Sequence, residues 1–432
     1  MKKQIINIFL LFISVGVFAQ GTTTSFTVAG IKVILKPTMK EVIDVNMYYR
    51  GGVANYPASK AGIENMVLAA TSETGTKSYS ANAFRDKADK YGIDIGGTSS
   101  YDFGQISMTC ISRFFNQGWD LFASAVTSPV FDAREVALLK EKLISGVKQS
   151  GSDPDERIEQ LTMLNAFAGT PYAIDPSGDE ATLAKLTPQD LKSYYYNTLL
   201  NKNRMFIVIV GKISKEEITK KILASFAALP AKPYKSAVLT GAKSEGKLLV
   251  EKRELATNYI TASIDAPQFN SPDYLPFRLA ISHLSNRLFR EIRTKRNLSY
   301  APSAYATTRL MPFAVMYVST TEPKASAEVM LEQLKELRDN GFSEEELLSG
   351  KSNFITNNYM KEESSSAIAA NLGTGEIFGD WRLADQAAER INKVSLKEMN
   401  EVLKKYIHTI RWSYLGDEKL ANENASVFKS KI

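Results

Sequence analysis

The stretch Leu186-Thr-Pro-Gln-Asp-Leu-Lys-Ser-Tyr-Tyr-Tyr196, followed by Met205-Phe-Ile-Val-Ile-Val-Gly-Lys212, reads as a helix and then an apolar strand. Roughly 210 residues later it returns as Val394-Ser-Leu-Lys-Glu-Met-Asn-Glu-Val-Leu-Lys-Lys-Tyr406 and Ile410-Arg-Trp-Ser-Tyr-Leu-Gly416. Thr187 and Ser395 each precede an acid three residues on, Asp190 and Glu398, just ahead of apolar periodicity, which is a helix-start signal. A second pair keeps the offset to within a few residues: Phe131-Asp-Ala-Arg-Glu-Val-Ala-Leu-Leu-Lys140 is echoed by Phe342-Ser-Glu-Glu-Glu-Leu-Leu-Ser-Gly-Lys351. Chance similarity would not arrange two echoes at one spacing, so the chain reads as two copies of one α/β unit.

Working outward, the Pro-, Gly-, Lys- and Ser-rich run 229–247 is the linker between an N-terminal unit over 20–228 and a C-terminal unit over 248–432. In the first unit the patterning predicts strands over 25–35, 42–49, 94–100 and 105–112, with helices over 61–73 and 82–91. The second repeats it, with strands around 259–264 and 313–320. Strands arrive in adjacent pairs rather than in strict βαβ alternation, so the expected fold class is α+β: two duplicated domains, each a mostly antiparallel sheet with helices packed on it.

The chain has 432 residues, 44% of them hydrophobic, enough for two such units with real cores. Its start, Met1-Lys2-Lys3, a short apolar run to Phe18 and then Val17-Phe18-Ala19, predicts a signal peptide over 1–19 and a periplasmic or secreted mature protein beginning at Gln20. No later segment has the ~18 apolar residues of a membrane span, so no membrane association is expected after signal removal. The formal charge of +6 is spread out, with no basic run interleaved with aromatics, and nucleic acid is an unpromising partner. Cys110 is the single cysteine and sits in an alternating strand, so it reads as a small core residue. The two histidines, His283 and His408, both fall in the second unit; His283 reads as a solvated or hydrogen-bonded helix residue and His408 as a helix-end cation. The acidic runs Glu344-Glu-Glu346 and Glu362-Glu363 read as solvated faces.

At Lys60-Ala-Gly-Ile-Glu-Asn-Met-Val-Leu-Ala-Ala-Thr-Ser-Glu-Thr-Gly-Thr76 the sequence resembles the first long helix of the pitrilysin or insulinase-like zinc metallopeptidases. That family carries H-x-x-E-H there: two His on one helix face hold zinc and the Glu is the general base. Registered on Gly62, the ligand positions become Asn65 and Ala69 and the base position Leu68, and the following Gly-Thr pair falls one residue later than in the family. The family's third ligand, a Glu ahead of an acidic Asp-Pro segment, corresponds to Ser145-Gly146 before Asp153-Pro154. The family's Gly-Gly-x-x-Asn-Ala stretch is altered as well, to Gly92-Ile-Asp-Ile-Gly-Gly-Thr-Ser-Ser-Tyr101. The resemblance therefore implies no zinc or other cofactor in this chain.

In the second unit, Asn286-Arg-Leu-Phe-Arg-Glu-Ile-Arg-Thr-Lys-Arg-Asn-Leu-Ser-Tyr300 resembles the family's C-terminal signature, in which an Arg and a Tyr seven residues apart face the zinc across the chamber. Here they are Arg293 and Tyr300. A guanidinium and a phenol suit the developing oxyanion of amide hydrolysis. The resemblance implies a mitochondrial-processing-peptidase-like metallohydrolase fold. It also implies a zinc-less subunit that contributes Arg293, Tyr300 and a chamber wall to an H-x-x-E-H partner subunit, which would hold zinc and cleave a peptide substrate. The alternative is a non-enzymatic peptide-binding or scaffold protein of the same fold. No Gly-x-Ser-x-Gly elbow or Cys–His pairing argues for an independent nucleophile.

Overall fold

The computed structural model describes residues 21–239, 245–429 and 431. The signal-peptide reading over 1–19 lies outside these residues, as does 240–244 of the linker reading. The first sheet is built from β1 (Thr24–Val28), β2 (Ile31–Pro37), β3 (Val42–Arg50), β4 (Asp94–Ser99), β5 (Phe103–Ile111) and β6 (Met205–Gly211). The second is built from β7 (Leu249–Lys252), β8 (Asn258–Asp265), β9 (Ser303–Ala306), β10 (Phe313–Thr320) and β11 (Arg411–Gly416). Their orders are β1-β2-β6-β3-β5-β4 and β7-β11-β8-β10-β9.

With β1 set aside, the two orders superimpose strand for strand, and so do the directions. β2 and β6 pair parallel, as β7 and β11 do, and every other neighbour is antiparallel. The duplication read from sequence is thus a duplication of topology, and the α+β, mostly antiparallel expectation holds. The predicted strand over 25–35 is in fact two. Ala29 and Gly30, at φ of 52° and 81°, make a two-residue turn that pairs Val28 with Ile31. Ala-Gly is not one of the strong hairpin dipeptides such as Asn-Gly or Asp-Gly, and the phase slip it introduces between Val28 and Ile31 is only two residues long, which is why the turn reads as part of one strand.

The helices that position the site are α1 (Ile63–Glu73), α2 (Ala133–Ser152), α3 (Pro154–Ala166), α4 (Tyr274–Leu288), α5 (Glu344–Lys361) and α6 (Ser365–Phe378). Asp132 caps α2, and Asp153 caps α3 with Pro154 in its first turn, where a missing N–H costs nothing. Every residue of β6 is buried, because each face of its sheet is covered. Ile207 and Ile209 join the core beneath α1, whereas Phe206, Val208 and Val210 join the second core together with Tyr48 and Leu372. The cover on that second face is α6, which belongs to the other half. Gly373 makes this approach possible, since a Cβ there would lie 2.2 Å from the Tyr48 ring.

The exchange is reciprocal. α3, from the first half, lies on β8 and β11 of the second sheet. Its Thr162 hydroxyl meets that of Thr261 at 2.6 Å, and Asn165 Nδ2 donates to the Trp412 carbonyl at 2.8 Å. Ile158 and Leu161 pack with Leu415, each such buried side chain contributing about 1.5–3 kcal/mol. The first part of the linker run is tied down too: Lys232 N donates to Asn201 Oδ1 at 2.9 Å and the Arg204 guanidinium lies over Tyr234.

Candidate functional site

α1 starts at Gly62, whose φ of 84° and close approach to the Ser177 carbonyl exclude a side chain. Asn65 and Ala69, four apart, share the partly open face of this helix, while Leu68 is fully buried. Asn65 Oδ1 accepts from the Ser99 amide at 3.1 Å and from the Thr98 hydroxyl at 3.3 Å, so the side chain at the first ligand position ties down edge strand β4. Leu68 packs on the β4–β5 hairpin. A Cβ on Gly97 would lie 2.1 Å from the Leu68 carbonyl oxygen, and one on Gly104 would lie 2.3 Å from Leu68 Cδ1. Ala69 offers no donor atom.

Ser145 and Gly146 lie on α2, which packs against α1 and is joined to it by a Lys142–Glu73 ion pair of 2.9 Å. The structure thus packs together the two helices to which the resemblance assigns ligand positions, and the side chains there do not fit zinc: one amide already engaged, one buried leucine, and an alanine, a serine and a glycine. Among the described residues, no group of three His, Cys, Asp or Glu side chains is placed to hold a metal ion.

Sequence reading missed the carboxylate beside them. Glu64 is completely buried and accepts from Tyr194 Oη at 2.7 Å, Asn55 Nδ2 at 2.8 Å and Ser99 Oγ at 3.2 Å, with Arg204 nearby. Burial raises its pKa, and the hydrogen bonds and Arg204 oppose that rise. Glu64 and Asn65 together clamp the end of β4. The available signal was a lone acid inside the apolar run Gly62–Ala70.

A second buried carboxylate joins the halves. Asp102, in the β4–β5 turn, accepts from the Tyr172 hydroxyl; that hydroxyl in turn accepts from Met311 N at 3.3 Å, and Arg309 stacks over Tyr101 at 4.2 Å. Burial pushes the Asp102 carboxyl from 3.8 up to about 6, against the pull of the Tyr172 hydrogen bond and the Arg309 charge. Because the folded-state pKa is raised, the folded chain keeps a proton that the unfolded chain releases between pH 3.8 and about 6. Stability from this group is therefore fullest below that window and declines as pH rises through it, by on the order of 3 kcal/mol. Asp102→Asn keeps the acceptor and removes the titration. Its melting temperature relative to wild type should climb between pH 4 and pH 7, as followed by circular dichroism, and a pH-independent difference would show that Asp102 is ionised throughout.

The second-half signature begins where α4 passes into a π-helical turn, Phe289–Thr294. The chain then reverses: Leu298 N donates to the Ile292 carbonyl at 2.9 Å and Asn297 takes a φ of 52°, a conformation asparagine tolerates. Glu291 fixes the basic segment, accepting from Lys295 at 2.9 Å and Arg296 at 2.7 Å, and these bonds hold its carboxyl at about 2. The result brings Arg293 and Tyr300 together. The guanidinium lies 4.0 Å from the Tyr300 ring centroid and 4.9 Å from that of Phe289. The stack stands outward, with Tyr300 76% and Phe289 45% exposed, and among the described residues Arg293 makes no ion pair.

The histidines stay apart from both regions. His283 is buried rather than solvated, with Nε2 unpartnered among the described residues and its pKa lowered by burial; His408 is exposed just beyond the helix Leu396–Tyr406. Cys110 is a buried strand residue, as its pattern predicted.

Residues 185–354 match the family described as the peptidase M16 inactive domain. A relative from Rickettsia felis named as an uncharacterized zinc protease is 21% identical over 348 residues, spanning 78% of this chain and 84% of its own length. Among solved structures, the peptidase M16 inactive domain from Pseudomonas fluorescens shares the fold at a TM-score of 0.81 and 18% identity, over 91% of this chain and 98% of that one. The periplasmic protease PqqL from Escherichia coli has a TM-score of 0.75 at 16% identity, over 95% of this chain but 50% of its own. The chain thus carries a match to the peptidase M16 inactive domain over residues 185–354, and over most of its length it is similar to a protein named as a zinc protease and shares the fold of a solved peptidase M16 inactive domain.

Proposed function

We propose that this chain is the zinc-less half of a two-subunit pitrilysin-type peptidase, lending Arg293 and Tyr300 to a site whose zinc and general base sit on an H-x-x-E-H partner. The observation that carries the reading is the outward Phe289–Arg293–Tyr300 stack. The guanidinium is held in place by two rings, yet no carboxylate of the described chain neutralises it. Such a group is preorganised toward something outside the chain, and the phenol beside it is a free donor. The first-half helix, by contrast, has its ligand positions filled by packing and strand-clamping side chains. The match to PqqL supports pairing, because a chain twice this length holds a protease whose fold this chain covers by half.

In this arrangement the chain's own residues bind and orient. Arg293 fixes the peptide or the charge that develops on its carbonyl oxygen, and Tyr300 donates a hydrogen bond to the same oxygen. The test is a titration of this chain into a fixed amount of an H-x-x-E-H family subunit. Peptide cleavage should rise at least tenfold above the partner's own rate and saturate near an equimolar ratio. A scaffold that only binds peptide would leave the rate flat or lower it by sequestering substrate, and that result would decide for the non-enzymatic reading.

A further inference from the structure

Away from the signature, a cavity of about 390 Å³ opens between α4, α5, α6 and the short helix Ala387–Asn392. Its volume falls within the range of small-molecule sites. The lining has a chemical bias: three cations, Arg278, Lys361 and Arg390, and no Asp, Glu or His. Among the described residues, none of the three makes an ion pair. Arg278, whose guanidinium lies 5.7 Å from the Tyr274 ring centroid, spends one terminal nitrogen on three long contacts of 3.4 Å, to Tyr274 Oη, the Ala306 carbonyl and Thr308 Oγ1, and among the described residues its other nitrogens have no hydrogen-bond partner. Arg390 gives one terminal nitrogen to the Leu383 carbonyl at 3.1 Å.

Two guanidinium groups converging on one cavity without a carboxylate is an arrangement that folding alone does not require. Each desolvated cation costs free energy unless an anion answers it. The planar forks left open match a carboxylate, which takes two parallel N–H donors. The rest of the wall divides into aromatic surface, Phe269, Phe354 and Phe378, and side-chain amides, Asn353, Asn357 and Asn371. Amides carry both a donor and an acceptor, which is the complement of a peptide group rather than of a hydrocarbon tail.

We infer that this cavity binds the carboxylate end of a short peptide with an apolar C-terminal side chain, the carboxylate on Arg278 and Arg390 and the side chain against the phenylalanines. Counting 1.5 Å per residue along α4 and its extension, Arg278 lies roughly 20 Å from Arg293, so the cavity is separate from the signature stack. The inference does not rest on the paired-peptidase reading, because binding is measured on this chain alone.

The experiment is calorimetric titration of the full chain with the dipeptide alanyl-phenylalanine, its C-terminal amide and octanoate. The free acid should bind, the amide should bind at least tenfold more weakly, and octanoate should bind more weakly than the dipeptide. Arg278→Met and Arg390→Met should each weaken the acid by tenfold or more, and added salt should weaken it further. Should either variant melt early, Arg278→Lys decides: it keeps the charge, loses the fork, and should fall between wild type and the Met variant. Equal binding of acid and amide, undiminished binding in folded Arg variants, octanoate binding as well as the dipeptide, or no heat up to about 10 mM acid would each overturn the proposal.

Discussion

In a saturated mixture with an H-x-x-E-H subunit, Arg293→Ala should remove most of the stimulated turnover, by about 10²–10³, the size found for one donor in a preorganised oxyanion site. The structure separates the two side chains further. Tyr300→Phe keeps the ring against the guanidinium, 4.0 Å away in the wild type, and deletes only the hydroxyl. Tyr300→Ala removes the stack as well and leaves Arg293 supported by Phe289 alone. If the hydroxyl itself meets the oxyanion, Phe should cost nearly as much as Ala, and the loss should fall on kcat with KM little changed. If the ring merely braces the guanidinium, Phe should be close to wild type, and Ala should resemble a mild Arg293 variant. Should both residues clamp the peptide equally in ground and transition states, KM rises while kcat holds, and the site is still shared. Since Tyr300 is largely exposed, none of these variants should lower the melting temperature by more than a degree or two, so kinetic losses are separable from folding. Wild-type kinetics from all three would refute the assignment.

Most of the fold was legible because duplication is a long-range signal that one sequence carries by itself. The echo of Met205–Gly211 in Arg411–Gly416 named the two strands that pair parallel with β2 and β7, and the rest of each sheet followed from adjacent-strand patterning. The Ala29-Gly30 turn was lost because Ala-Gly is a weak turn dipeptide between two apolar runs, although the apolar phase does shift across it. The swap of α3 and α6 between halves was lost for a different reason. Amphipathic periodicity tells which face of a helix is buried and says nothing about which sheet receives it. The clearest trace of the swap is Gly373, and its meaning emerges only when the Tyr48 ring is seen beneath it. At the site, sequence reading named Asn65, Leu68 and Ala69 but not what their helix does, since Asn65 and Glu64 act on Ser99, more than thirty residues away in the chain. The pair Arg293 and Tyr300 was named through the resemblance, but their stacking on each other and on Phe289 was not read, because it depends on the chain reversal after Thr294.

Rebuilding the family motif with Asn65→His, Leu68→Glu and Ala69→His should not restore a tight zinc site, and it should destabilise the fold by more than about 3 kcal/mol. The reason lies chiefly at Leu68. Its side chain is fully buried against a hairpin whose Gly97 and Gly104 have no Cβ, so a glutamate there would bring a carboxylate into a space shaped for an isobutyl group, beside the buried Glu64. Leu68→Ala alone should cost about 2–5 kcal/mol by opening a cavity at that contact. Leu68→Glu should exceed it, and the excess should shrink as pH falls from the raised folded-state pKa of the buried carboxyl toward its unfolded value of about 4.3, below which it levels off. Asn65→His adds the loss of the bond to the Ser99 amide at the end of β4. The third ligand would still be wanting, because Ser145 and Gly146, both exposed on α2, supply no zinc ligand, and Gly146 has open space at its Cβ. Adding Gly146→Glu is therefore sterically allowed, and it makes the quadruple variant the fair trial. Urea unfolding gives the stability of each variant, and zinc titration with a competing chelator gives the affinity. A quadruple variant within about 1 kcal/mol of wild type that binds one zinc tightly per chain would mean that α1 still presents a metal pocket. In that case the packing of Leu68 against β4 and β5 would not be the feature that separates this chain from its zinc-bearing relatives.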